Sequence, residues 1–136
     1  MIRPARLLPV AVVAFAGAAG AQDAWWRGLN GRYVGPAESG GKSATVTTNL
    51  RTEPGGGVLG TFAFAEPGNV SYSGTIDSCI VSGQLTLRCR WVDRYGNGPV
   101  ELTFRPDLSS FSGKWTGTPE TSWRRWGGAR AGPAGN

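Results

Sequence analysis

The chain has 136 residues, fourteen basic and nine acidic side chains, no histidine, two cysteines and a formal charge of +5. Without histidine it cannot assemble a Ser-His-Asp or Cys-His nucleophile, nor a zinc site built on imidazole. Its small, scattered basic excess suits solubility or weak attraction to acidic envelope polymers rather than nucleic-acid binding.

Arg3 and Arg6 form a basic n-region, Leu7 to Ala19 an apolar stretch of 13 residues, and Ala19-Gly20-Ala21 a small-x-small cleavage site. This order reads as a secretory signal peptide over residues 1–21, cut after Ala21. The apolar run is too short to span a bilayer, and no cysteine stands at the cut to carry a lipid. Residues 22–136 then form a single exported domain, secreted or periplasmic. Losing Arg3 and Arg6 lowers its charge to +3, and ten of its twelve basic residues are arginine.

Next comes DAWWRGLN (23–30), with Trp25 beside Trp26. Adjacent tryptophans on an extended segment point opposite ways, so one sheet face cannot bury both. Trp123 and Trp126, in WRRW near the other end, pose the same question. Exposed indole beside arginine suits contact with a sugar, a peptide or another subunit, which makes Trp25, Trp26, Trp123 and Trp126 a candidate interaction surface. The alternative is a plug closing the end of a barrel.

From there the chain shows period-two alternation and no helical periodicity. Strands are expected over about 29–36, 43–51, 58–65, 69–77, 84–94, 99–105, 110–117 and 122–130. Between them lie AESGG, EPGGG, EPGN, DSCIVSG, YGNG, RPDLS and GTPET, all rich in turn formers. Ala44, Val46, Thr48 and Leu50 share one face of the second strand; Leu85, Leu87, Cys89 and Trp91 share one of the fifth; Val100, Leu102 and Phe104 share one of the sixth. Eight short strands with short loops predict an all-β, eight-stranded antiparallel up-and-down barrel, since closure removes edges that would otherwise aggregate. Its polar outer faces exclude an outer-membrane barrel. Cys79 and Cys89, in an exported chain, are expected to form a disulfide, which a loop this short makes worth roughly 2–3 kcal/mol.

The densest polar patch is WVDRYGNGPVELTF (91–104). Trp91 and Leu102 must both face inward, so the hairpin pairs odd residues with even ones and its loop has two or four residues. A type II′ loop at Gly96-Asn97 would set Pro99 in a non-hydrogen-bonded pair opposite Arg94, where its missing donor costs nothing. Arg94 is then a solvated charge, and Asp93 and Tyr95 point toward the mouth in line with Trp91.

An internal repeat supports closure: apolar-x-Gly-x-apolar recurs in LNGRY (29–33), VLGTF (58–62), YSGTI (72–76) and FSGKW (111–115), and again in VSGQL (81–85) across an expected turn. Glycine on an inward face lets a strand bend sharply beside large neighbours. These segments resemble the Gly-x-aromatic strands of avidin-like barrels and, more loosely, of other calycins such as lipocalins. The resemblance implies an eight-stranded barrel with a ligand pocket at one end, lined by aromatics that map onto Trp91 and Trp115. GRYVGPAESGG does not match the polar biotin-binding signature of the avidin family, so the likeness is architectural.

Glu66, Asp93, Glu101 and Glu120 are not spaced as a hydrolytic pair, and PGGGVLG lacks the lysine of a phosphate-binding loop. The sequence therefore reads as a non-enzymatic binding module without cofactor or metal. Trp91, Asp93, Tyr95 and Trp115 are its candidate contacts for a small apolar or amphipathic ligand at the mouth formed by the loops at 36–41, 66–69, 95–98 and 117–121. A second reading is a protein-interaction barrel, such as an envelope protease inhibitor acting through DAWWRGLN. A third is a structural or oligomerisation barrel. Partners are accordingly a small molecule or an extracytoplasmic protein or polymer; no nucleic acid or membrane-spanning segment is expected, and homo-oligomerisation is left open.

Overall fold

A computed structural model describes residues 24–68 and 70–135; the segment read as a signal peptide lies outside the described residues. Nine strands follow a short 3-10 helix, Trp25–Gly28. They are β1 (Gly31–Ser39), β2 (Lys42–Thr52), β3 (Val58–Glu66), β4 (Val70–Gly83), β5 (Thr86–Asp93), β6 (Gly96–Phe104), β7 (Ser110–Trp115), β8 (Arg124–Arg125) and β9 (Gly128–Gly132). Successive strands pair antiparallel from β1 to β7, and β9 inserts between β7 and β1. Eight strands thus close an antiparallel barrel, with β8 a two-residue addition on β7.

Alternation in the sequence becomes alternation in burial. On β3, Val58, Gly60, Phe62 and Phe64 are buried while Leu59, Thr61, Ala63 and Ala65 are exposed. The barrel interior is filled by layers of such residues, among them Tyr33, Val46, Leu50, Ile76, Leu87, Val100, Leu102 and Phe104. Three of the repeated glycines stand where no side chain fits. A Cβ on Gly60 would strike the Asn49 carbonyl, one on Gly113 the Trp126 carbonyl, and one on Gly74 the Val92 carbonyl and the Phe62 ring. These positions let neighbouring backbones and rings close in where the sheet curls.

Several boundaries differ from the sequence expectation, four of them with consequences for the barrel. Residues 29–30 precede β1, because the tryptophan pair opens as a 3-10 turn and not as extended chain. β4 runs on to Gly83 through a bulge between Asp77 and Ile80, with Ser78 at φ 54°. Cys79 therefore lies in a bulged strand and not in a turn, and it bonds Cys89 on the adjacent strand across a Cα–Cα distance of 4.0 Å.

The β5–β6 loop is Arg94-Tyr95, not Gly96-Asn97: Asp93 pairs with Gly96, Trp91 with Gly98 and Arg90 with Pro99. The odd–even parity and the two-residue loop hold, but the turn comes two residues earlier. Asp93 accounts for this, since its Oδ1 accepts the N–H groups of Tyr95 (2.8 Å) and Gly96 (3.1 Å) and so closes the turn itself. Counting alternate pairs from that loop, Pro99 still falls in a non-hydrogen-bonded pair, now opposite Arg90.

Finally, the expected last strand is interrupted at Trp126-Gly127. Here the chain crosses β1 so closely that a Cβ on Gly35 would lie 2.6 Å from the Gly127 carbonyl. The crossing turns Trp126 into the core, bridged to Ala37, before β9 resumes.

Candidate functional site

The barrel has two ends, and they are treated differently. At the end where β1 begins, Trp25 packs 5.9 Å from Phe104 and edge-on to Trp26 at 6.4 Å. Trp26 Nε1 donates to the Gly56 carbonyl (2.9 Å), and Leu29 is fully buried. Arg130 Nη2 donates to the Gly28 carbonyl (2.8 Å) and to the Tyr33 hydroxyl (2.7 Å), whose own proton goes to the Leu29 carbonyl (3.1 Å). Burial pushes the Tyr33 phenol above its ordinary value of 10.0, against the opposing pull of Arg130. The N-terminal segment is thus a stopper. Trp25 and Trp26 keep part of their surface in an open groove shared with Val81, Leu85 and Pro106.

The opposite end carries the β1–β2, β3–β4 and β5–β6 turns and the loop after β7. It is open, and below it lies a cavity of about 160 Å³ lined by Ser39, Phe62, Phe64, Tyr72, Trp91, Asp93, Tyr95, Trp115 and Trp126. All four candidate ligand contacts from the sequence, Trp91, Asp93, Tyr95 and Trp115, meet in it. Trp91 and Trp115 come from strands on either side of β6, and their rings stand 5.4 Å apart at 86°. Trp126 meets Phe62 and Phe64 at 5.0 Å each with interplanar angles of 67°. At the rim Tyr72 meets Tyr95 at 5.4 Å and 75°. Edge-to-face pairs of this kind set neighbouring rings nearly at right angles, as the walls of a box stand.

The polar atoms of these walls are largely committed. Trp91 Nε1 donates to the Thr116 carbonyl (2.8 Å), Trp115 Nε1 to the Glu38 carbonyl (3.0 Å), and Trp126 Nε1 to the Thr48 hydroxyl (2.9 Å). Thr116 is itself buried, and its hydroxyl accepts the Thr121 N–H (2.9 Å), fixing the loop that carries the carbonyl. No indole donor is therefore spare for a ligand. Asp93 is the one charged side chain among the lining residues, and among the described residues no basic group pairs with it.

Of the four tryptophans expected as an interaction surface, Trp126 is instead a core residue, 1% exposed, because the chain crossing at Gly127 turns it inward. Trp123 is half-buried under the Lys114 ammonium, 4.8 Å from its ring centroid. Sequence reasoning did not single out Phe62, Phe64 or Tyr72, although the inward parity of VLGTFAF and YSGTI carries them. Trp126 and Ser39 had no such signal, since their placement follows from the interrupted last strand and from a β1 that outruns its expected end.

Among the described residues no group of three or more Cys, Asp or Glu is placed to hold a metal ion, and no helix is long and apolar enough to cross a membrane. Compared with known proteins, the sequence matches no family model and no curated protein.

Proposed function

We propose that this barrel is an exported, non-catalytic binding module that takes a small apolar or amphipathic ligand into its open end. One observation carries the reading: seven aromatic rings, those of Phe62, Phe64, Tyr72, Trp91, Tyr95, Trp115 and Trp126, line a cavity at the unstoppered end. A merely structural barrel would gain stability by filling that space, since each unfilled methylene-sized void costs about 1 kcal/mol. The disulfide supports export, because such bridges persist in oxidising compartments. The stopper geometry weighs against the inhibitor reading, as DAWWRGLN lies folded on the barrel end from Ala24 onward rather than projecting from it.

The cavity's size limits what enters. At about 160 Å³ it is on the scale of engineered cavities that admit benzene. The ligand, or the part of it that is buried, is a single ring or a compact branched group. So few atoms give affinities of only about micromolar to millimolar.

Titration of the mature protein, followed by tryptophan fluorescence and thermal stability, tests this reading. The panel runs from single-ring and branched compounds to biotin, fatty acids and haem. A saturable response confined to the small members, and lost in Trp115→Ala, is expected. No response across the panel would sink the proposal.

A further inference from the structure

The chemistry of the cavity narrows its ligand beyond size, and this step rests on the binding function just proposed. An anion needs hydrogen-bond donors, but the indole N–H groups of Trp91, Trp115 and Trp126 are all spent on internal acceptors. A primary ammonium needs acceptors for all three of its protons; Asp93, Ser39 and the tyrosine hydroxyls offer them only at the rim, and the ring walls below supply none. A methylated ammonium has neither requirement. It presents carbon and hydrogen to its surroundings with the positive charge spread beneath, and the negative faces of Trp, Tyr and Phe attract it.

The charge distribution agrees. Asp93 is the single charged residue lining the cavity, and its Oδ1 is held by two backbone N–H groups of the β5–β6 turn. That anchoring keeps a carboxylate at the rim without a neutralising partner. The cavity's own rings already attract cations from outside it. The Arg94 guanidinium stands 5.3 Å from the Tyr95 ring centroid, and that of Arg124 stands 5.2 Å from Trp115. Neither arginine lines the cavity. Their repulsion of a bound cation is the opposing effect, weakened by the water that reaches both side chains. We infer that the cavity is a cage for a trimethylammonium or similarly methylated ammonium group, with the rest of the ligand extending past Ser39 and the tyrosine hydroxyls into solvent.

The decisive experiment compares a cation, a neutral molecule of the same shape and a single-ring anion on the mature, disulfide-bonded protein. These are choline, its neutral isostere 3,3-dimethylbutanol, and benzoate, each titrated by tryptophan fluorescence. Choline is expected to bind about tenfold more tightly than the isostere, and benzoate not at all. Asp93→Asn keeps the Oδ1 acceptor that closes the turn and removes the charge. It is expected to weaken choline binding severalfold and so to narrow the choline-to-isostere ratio.

Equal or tighter binding of the neutral isostere, or binding of benzoate alone, overturns the cation assignment and leaves the apolar pocket standing. Failure of every probe overturns both. Should Asp93→Asn lose its fold, the choline-to-isostere ratio on the unaltered protein still decides.

Discussion

Tyr33 is an aromatic whose hydroxyl is fully buried, yet every polar atom around it is answered. It donates to Leu29, accepts from Arg130, and has the Arg130 guanidinium 5.2 Å from its ring centroid. Because burial raises its pKa above 10.0, the folded protein holds the phenolic proton more tightly than the unfolded chain does. Stability from this group is therefore complete below pH 10 and falls as the pH rises further, since the unfolded state ionises first. Denaturant unfolding measured between pH 8 and 11 should show that fall. Tyr33→Phe should cost about 1–2 kcal/mol at pH 8 through the lost hydrogen bonds and should flatten the alkaline slope. An unchanged slope in the variant would remove Tyr33 as its source. Thr48 is a parallel case seen from the sequence: a hydroxyl on an inward face, unexplained until the Trp126 indole is found donating to it.

At the scale of the strands, what could be read in advance was whatever repeats every second residue. The burial pattern of β2, β3, β5 and β6 follows the alternation of their side chains, and so Trp91 and Trp115 were placed inward correctly. Events that break the period were not legible. The bulge at Ser78-Cys79, the early turn at Arg94-Tyr95 and the crossing at Gly127 each depend on a local geometry that competes with a continuous strand. Asp93 shows why: a short carboxylate can cap its own turn, and that outweighed the turn preference of Gly-Asn three residues on. The Gly-x-aromatic repeat tests the strand-scale account directly. Gly74→Ala sets a methyl group against the Val92 carbonyl and within 2.7 Å of the Phe62 ring. It should destabilise the barrel by about 1–3 kcal/mol in urea titrations and disturb the cavity floor. Ser73→Ala, exposed on the other face of the same strand, should leave stability within about 0.5 kcal/mol. Equal effects would refute the packing role of that glycine.

For the whole molecule, closure hangs on five residues near the C-terminus. β9 joins β1 through Tyr33, paired with Arg130, and joins β7 through Phe111, paired with Gly128. Ending the chain after Trp126 would expose the stretches of β1 and β7 that β9 covers, leaving only the β8 pairs and the Ala37–Trp126 bridge across the gap. Such a truncation should shift the protein from a defined species to aggregates in size-exclusion chromatography; a soluble, cooperatively unfolding product would contradict this role for β9. The stopper places both ends of the described chain on the same side. Arg130 reaches the Gly28 carbonyl, and Gly135 is bonded to Asn49 and Arg51 near the end of β2. The cavity opens at the far side, so a linker joining Ala24 to Gly135 would stay at the stoppered end without crossing the mouth. New ends could then be cut at the exposed Gly40-Gly41 turn, and a surface tether attached at Ala24 or Gly135 would present the aromatic box outward to whatever diffuses past.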